Sequence, residues 1–324
     1  MDRAVTAPDA HWTPAQIRWT AAGPLVDWCH LGDLRFTAPF FEQTVGTAMA
    51  HPFNLLFRRS TPLAMLEEIS SELRPAGLIF HMSRCGSTLL TQMLAALPQN
   101  VVLSEPGPLD QALRLPTRLQ GVTPDKLIGW LRGMTASLAR RRHPEERDLF
   151  IKLEGWHVLM LPLIRRAFPG VPWVFLYREP LDVMASLARQ RPNQMMFGGL
   201  DPALLGVEAA QAAAMSADRY CALVLEQICL AAVAHIRDGG LLLEYRELPE
   251  PALAKLIDHF GLRYGIAELA AMRARAEFNA KQPARRYVDE SNERRSAVSE
   301  EIGSLAANLL APLHARLEEL RTRQ

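Results

Sequence analysis

The chain has 324 residues, of which 49% are hydrophobic and 22% are charged, and its formal net charge is +1 at pH 7. This is ordinary globular composition, and the length suits one large core with a small accessory layer. A net charge this close to zero excludes a global field for nucleic acid or an anionic membrane surface, so any anion site must be built locally.

The cysteines and the apolar stretches indicate the compartment. Cys29, Cys85, Cys221 and Cys229 are too few and too scattered for a disulfide framework. None of them has histidines at metal-ligand spacing. The chain starts without an apolar run of signal-peptide length, and no later stretch reaches transmembrane length. We therefore expect a reduced cytoplasmic protein with no structural metal, no membrane span and no nucleic-acid partner.

The pattern changes near residue 70. Residues 1–70 carry aromatic side chains broken by several prolines, which predicts short elements that form an accessory segment packed on a main domain, residues 71–324. From Gly77 onward, short apolar runs alternate with helical patterns. The predicted strands are 78–82, 101–104, 149–153, 172–177 and 241–245. The predicted helical stretches are 88–97, 124–141, 158–168, 180–190 and an Ala-rich segment at about 201–236.

This alternation predicts a doubly wound α/β fold with a central parallel sheet, because near-continuous apolar strands are typical of sheets covered on both faces. Ligands of such sheets bind at the carboxyl ends of the strands. Each of the first four strands is followed by a charged group. The residues are Ser83-Arg84-Cys85-Gly86, Glu105-Pro106, Glu154-Gly155 and Arg178-Glu179-Pro180. We expect the first two strand ends to be neighbours, with Arg84 beside Glu105.

The stretch "SRCGSTLL" (83–90) predicts an anion site. Gly86 allows a ligand to approach the backbone closely, and Ser87 and Thr88 start a helix whose free amides attract anions. The lysine that follows the last glycine of an ATP-binding loop is absent. An ordinary strand–helix connection with a capping serine is the alternative interpretation.

A second stretch, "VFLYREPLDVMASLARQ", ends a strand at Arg178, starts a helix at Pro180 and places Ser186 eight positions after the arginine. Together the two stretches resemble the two phosphate motifs of sulfotransferases that use 3′-phosphoadenosine 5′-phosphosulfate. The segment "LLLEYRELPEPALAKLIDHFGL" is similar to a third stretch of that family, with Tyr245 where a tyrosine approaches the adenine. The resemblance covers about residues 78–262.

The resemblance implies a three-layer α/β/α fold like that of P-loop nucleoside-triphosphate hydrolases, no metal, and adenosine 3′,5′-bisphosphate as product. It implies that the first motif, Arg84-Cys85-Gly86-Ser87-Thr88-Leu89, lies at the 5′-phosphosulfate. Arg84 would stabilise the charge on the leaving phosphate, and Lys152 would approach the sulfuryl group. Arg178 and Ser186 would bind the 3′-phosphate. The acceptor would be a hydroxyl or amine of a small molecule, carbohydrate or peptide.

Three departures from the family pattern bear on cofactor binding. Cys85 replaces a serine, and Glu179 replaces an aspartate. Because most of the phosphate cradle is backbone, we expect binding to survive. The C-terminal cofactor segment has no clear match. Its candidates by chemistry are Lys281, Arg285 and Arg286, and a solvated basic loop is the alternative for each.

The acceptor needs a general base. Small-molecule members of the family use a histidine just after the third strand, where this chain has Glu154 with His157 three residues on. Carbohydrate and tyrosylprotein members use a glutamate after the second strand, where this chain has Glu105. We favour Glu105, since Pro106 disfavours helical geometry there and lets the carboxylate project from the strand end.

Two other functions stay open on the sequence. One is a magnesium- and ATP-dependent, kinase-like phosphotransferase with Glu154 at the metal. The other is a catalytically silent nucleotide-binding protein. The acceptor and the oligomeric state are not specified by the sequence.

Overall fold

The computed structural model describes residues 6–282, 285–286 and 298–324. The strands in these ranges are β1 (Trp12–Thr20), β2 (Gly23–His30), β3 (Arg59–Pro62), β4 (Pro75–His81), β5 (Asn100–Ser104), β6 (Asp148–Lys152), β7 (Trp173–Tyr177) and β8 (Gly240–Glu244). The α-helices are α1 (Phe41–Met49), α2 (Pro52–Leu56), α3 (Ser87–Ala95), α4 (Gly107–Leu113), α5 (Pro124–Leu138), α6 (Leu161–Ala167), α7 (Pro180–Arg189), α8 (Ala209–Ala213), α9 (Ala217–His235), α10 (Glu250–His259), α11 (Ile266–Ala276), α12 (Glu300–Leu305) and α13 (Ala311–Arg321).

The N-terminal strands form a small antiparallel sheet in the order β1-β2-β3. Its inner surface faces α4 and α5: the amide of Ile17 donates a hydrogen bond to the side chain of Gln111 in α4. The turn at Leu66 lies against α5 so closely that a Cβ at Gly133 would overlap the Leu66 carbonyl. β1 and the turn at Leu66 therefore pack on α4 and α5. The division into an accessory segment, residues 1–70, and a main domain, residues 71–324, stays a prediction.

The second sheet is parallel and has the order β5-β6-β4-β7-β8. The sequence prediction of five parallel strands and an α/β fold is confirmed, with each strand within three residues of its predicted bounds. The interior of the sheet is apolar, and Phe80, Phe150, Trp173 and Phe175 are fully buried. Burial on both faces explains why these strands read as continuous apolar runs.

The strand order places a reversal of winding at the carboxyl ends of β6, β4 and β7, which is where a ligand-binding cleft is expected. The connection through α3 runs from β4 past β6 to β5, whereas the connections after β6 and β7 run the other way. Because crossovers between parallel strands are right-handed, the helices on these two routes cover opposite faces, which gives three layers. Where the direction reverses, the loops diverge and leave a crevice.

One predicted helical stretch is broken. The Ala-rich segment from about residue 201 forms a short 3-10 turn (Pro202–Leu205) and two helices, α8 and α9. Gly206 ends the turn in a left-handed conformation, φ 68°, which interrupts the helical path. Across the described part of the chain, the helices are too short or too polar to cross a bilayer.

Candidate active site

Backbone strain marks the carboxyl ends of the central strands. Among the described residues, the non-glycine positions with positive φ are Ser83 (79°), Arg84 (52°) and Glu105 (53°). Such conformations cost roughly 1–3 kcal/mol each and persist where the surrounding structure holds them, often at functional sites. The strained backbone conformations therefore lie at the strand ends where the sequence predicted the ligand-binding cleft. The sequence predicted that Glu105 follows a strand in a non-helical backbone conformation. In the structure, Glu105 follows β5 and has a left-handed backbone conformation.

Two residues of the predicted phosphate loop, Cys85 and Leu89, have their polar groups engaged within the protein. Gly86 precedes α3 with φ 84°, and a Cβ there would overlap Leu248. The thiol of Cys85 donates to the carbonyl of Leu176 at 3.2 Å, and burial raises the pKa of this thiol to about 12. The amide of Leu89 donates to Gly86 O at 2.9 Å, inside the first helical turn. Neither the Cys85 thiol nor the Leu89 amide is therefore turned toward an anion.

The two phosphate motifs meet in space. Arg84 Nε donates to Ser186 Oγ at 2.8 Å across 102 residues of sequence. Arg178 donates through Nε and Nη2 to Asp182 Oδ2 at 3.2 and 3.1 Å. The Arg178 guanidinium also lies 3.9 Å from the centre of the Tyr245 ring. Two arginines, a serine hydroxyl and a tyrosine ring thus lie together near α3 and α7. That these groups bind phosphates stays a prediction.

A buried ion pair lies on the other side of β4. Lys152, at the end of β6, is fully buried, and its Nζ lies 3.0 Å from Glu105 Oε1 and 3.3 Å from Thr88 Oγ1. The expectation that Arg84 would be the neighbour of Glu105 is wrong, because β6 lies between β4 and β5. The cation beside Glu105 is Lys152.

His81 adds a second contact to Glu105. The amide of Ser83 donates to His81 Nδ1 at 3.0 Å, so the hydrogen of the neutral ring is on Nε2. Nε2 lies 3.2 Å from Glu105 Oε1 at an angle unfavourable for a hydrogen bond. Burial raises the pKa of Glu105, but the charge of Lys152 and the contact with His81 outweigh it and hold that pKa well below its usual range. Glu105 is therefore ionised at neutral pH.

The other candidates for the base surround Asp110 of α4. Asp110 Oδ1 accepts from Trp156 Nε1 at 2.9 Å and lies 3.1 Å from His157 Nε2. The second ring nitrogen of His157 accepts from the backbone amide of Glu154 at 3.2 Å. Arg114 donates to Asp110 Oδ2 at 2.8 Å. Both nitrogens of His157 therefore have structural partners, which leaves Glu154 as the alternative base.

Glu154 differs from Glu105 in its protonation state at neutral pH. Burial and the nearby carboxylates of Asp110 and Glu105 raise the pKa of Glu154 to about 8. Its carboxyl group is therefore mostly neutral at pH 7, when Glu105 is ionised. Two carboxyl groups whose pKa values are pushed apart are typical of sites where one group accepts a proton and the other donates a hydrogen bond.

The raised pKa of Glu154 predicts that the protein loses stability as the pH rises toward 8. In the unfolded chain the carboxyl ionises near 4.5, whereas in the folded protein it holds its proton up to about pH 8. The free energy of unfolding therefore falls as the pH rises from about 4.5 to about 8 and levels off above that. Between pH 6 and 9 the decrease should be roughly 3 kcal/mol, at about 1.4 kcal/mol per pH unit below pH 8. We expect Glu154→Gln to remove this part of the pH dependence in urea unfolding at pH 6 and 9.

A matched control is Glu72→Gln, whose side chain is 81% exposed. It should keep the pH dependence of the unmodified protein. Equal pH dependence in the Glu154→Gln variant and the unmodified protein would contradict the assignment of a buried neutral carboxyl.

Three residues at the cleft were not singled out by the sequence analysis: His81, Asp110 and Phe40. A polar residue that ends an apolar strand was the available signal for His81. Of the C-terminal candidates, Lys281 reaches the cleft, with Nζ 5.8 Å from the centre of the Phe40 ring. Arg285 and Arg286 are exposed.

No protein-family model and no curated protein matches the chain. Similar solved structures include a sulfotransferase from Mycobacterium avium, 13% identical over 84% of this chain and 82% of its own, with a TM-score of 0.46. A sulfotransferase from Alicyclobacillus acidocaldarius is 14% identical over 78% and 97% of the two chains, with a TM-score of 0.43. A mouse sulfotransferase complexed with PAP is 14% identical over 80% and 86%, with a TM-score of 0.35. Likeness at this level assigns neither a family nor an activity, so function is argued from the site.

Proposed function

We propose that the protein is a sulfotransferase that uses 3′-phosphoadenosine 5′-phosphosulfate and acts on a hydroxyl or amine of an acceptor. The contact between Arg84 and Ser186 carries this proposal, because it joins two separate anion-binding motifs into one site. Guanidinium groups suit two-pronged contact with phosphate and stay charged at neutral pH. A donor with anionic groups at both its 5′ and 3′ positions fits such a pair of arginines.

The residues divide between two ends of the cleft. The bound donor supplies the sulfuryl group. Arg178 and Ser186 would hold its 3′-phosphate, and Tyr245 would contact its adenine. The start of α3, with Ser87 and Thr88, would hold its sulfated end by backbone amides and hydroxyls.

Lys152 and Glu105 would serve the acceptor. Lys152, buried and 3.3 Å from Thr88, is placed to neutralise negative charge at the sulfated end. Glu105 is ionised and would take the proton of the acceptor hydroxyl or amine. Its pairing with Lys152 weakens it as a base in the unliganded protein. When the ammonium turns toward an anion, Glu105 loses its counter-charge and its basicity rises.

The proposal is tested by ligand-induced stabilisation. Adenosine 3′,5′-bisphosphate without magnesium should raise the melting temperature, since a ligand at a hundredfold excess over Kd stabilises the folded state by about 2.7 kcal/mol. Adenosine 5′-phosphate, which lacks the 3′-phosphate, should stabilise much less. In the Arg178→Ala variant the advantage of the bisphosphate should disappear.

A larger shift with magnesium-ATP would favour the kinase-like phosphotransferase. Stabilisation by the bisphosphate without transfer to any acceptor class, tested with isotopically labelled donor, would favour a silent nucleotide-binding protein.

A further inference from the structure

The accessory segment reaches into the cleft. At one end of the stretch 37–42, the carbonyl of Thr37 accepts from Gln92 Nε2 at 3.1 Å. Gln92 lies on α3, is buried, and also accepts from Arg275 of α11 at 2.7 Å. The stretch is thereby fixed to the helix that follows the phosphate loop.

The other end of this stretch is fixed to the helix that follows Glu105. The carboxylate of Glu42 lies against Gly107, the first residue of α4. A Cβ at Gly107 would displace that carboxylate, which shows how closely Glu42 approaches α4. Residues 37–42 therefore bridge α3 and α4, the two helices that begin beside Lys152.

Phe40 lies in the middle of this bridge. The centre of its ring is 4.9 Å from Lys152 Nζ and 5.8 Å from Lys281 Nζ, both within the range of cation–π attraction. Lys152 is fully buried, while Phe40 is half-buried and Lys281 is exposed. The ring thus stands between the buried ammonium and the part of the surface where Lys281 lies.

We propose that Phe40 is a positioning residue of the active site, whose ring closes Lys152 off from water and holds its ammonium between Glu105 and Thr88. Exclusion of water matters because charge–charge attraction is several-fold stronger at low dielectric than in water. The accessory segment is then part of the catalytic machinery. The inference rests on the proposed function in one respect, the role of Lys152 at the sulfated end of the donor.

Chemical labelling of the full chain tests the first half of this proposal without any enzymatic assay. The protein is treated briefly with acetic anhydride, and acetylation of each lysine is followed by mass spectrometry, with Lys255 as the exposed reference (side chain 43% exposed). We expect Phe40→Ala to raise the labelling rate of Lys152 relative to Lys255 at least tenfold. Phe40→Tyr, which keeps the ring, should label as slowly as the unmodified protein.

Phe57→Ala is the matched control, because this phenylalanine lies in the same accessory segment but is 59% exposed. Melting temperatures of all variants identify labelling that results from unfolding. Unchanged labelling of Lys152 in folded Phe40→Ala would overturn the proposal. So would an equal rise in Phe57→Ala.

The second half of the proposal, that Phe40 holds the ammonium of Lys152 in place, is tested by steady-state kinetics. Phe40→Ala should lower kcat by roughly tenfold, with stabilisation by adenosine 3′,5′-bisphosphate close to normal, and Phe40→Tyr should restore kcat. A purely structural role would predict equal kcat in folded variants, and that outcome would overturn the positioning role. If no variant transfers sulfate but Lys152 is exposed only in Phe40→Ala, the proposed function fails while the shielding by Phe40 stands.

Discussion

Glu105→Gln should lower turnover by roughly a hundred- to ten-thousandfold, the range expected for loss of a positioned general base. Glutamine keeps the shape of the side chain, and its amide oxygen can still face Lys152 and His81. What it loses is the ability to accept the proton of the acceptor. Stabilisation by adenosine 3′,5′-bisphosphate should stay near normal, because the proposed function assigns Glu105 to the acceptor and not to the donor.

The substitution also removes the counter-charge of a fully buried ammonium, which typically costs 3–5 kcal/mol when one partner of a buried pair is lost. Unfolding curves must therefore accompany the kinetic measurement. Glu154→Gln serves as the comparison, since it removes a neutral carboxyl and should reduce turnover less. His157→Ala should also be milder for catalysis. Full turnover of Glu105→Gln together with an inactive Glu154→Gln would move the base to the end of β6.

The two arginines should separate affinity from turnover. Arg178→Ala should mainly weaken binding of the bisphosphate, because its guanidinium is held by Asp182 and Tyr245. Arg178 follows β7, which β4 separates from the strand of Lys152. Arg84→Ala should reduce turnover by on the order of a hundredfold or more, the scale for losing one preorganised charge-stabilising donor. Thermal shifts with the bisphosphate and single-turnover rates with saturating donor measure the two effects.

The contact of Arg84 with Ser186 makes this comparison decisive. Ser186→Ala removes the hydroxyl and leaves both guanidinium groups in place, so it should weaken bisphosphate binding less than Arg178→Ala does. If Arg84→Ala changed affinity alone, Arg84 would belong to the 3′-phosphate together with Ser186. Lys152 would then be the cation at the sulfated end.

The elements that could be predicted from the sequence are those whose signals are local. The strands of the parallel sheet are apolar runs bounded by turns, and the two phosphate motifs are short stretches with fixed spacing. Strand order is not local, because it depends on which helix covers which face of the sheet. That is why Arg84 was expected beside Glu105, whereas β6 separates their strands and brings Lys152 there instead.

The candidate site was predictable to the same extent. Arg84, Arg178 and Ser186 come from motifs, and the structure brings them together. Phe40 and His81 belong to no motif, and their contacts join residues far apart in the chain. The side-chain direction of Cys85 was equally hidden, since a residue inside a motif can face the sheet while its neighbours face the cleft.

The position of β6 between β4 and β5 has a consequence for synthesis on the ribosome. When Asn100–Ser104 has emerged, β5 has no strand to pair with, because its partner is Asp148–Lys152 and not the β4 strand that precedes it. Until that partner has been made, two apolar strands present open edges, which favour intermolecular association. When β6 inserts, it pairs with the facing edges of β4 and β5 and brings Lys152 to Glu105 at the same moment. In the nascent chain, one strand thus joins β5 to β4 and brings Lys152 to Glu105, before β7 and β8 extend the sheet on the other side of β4.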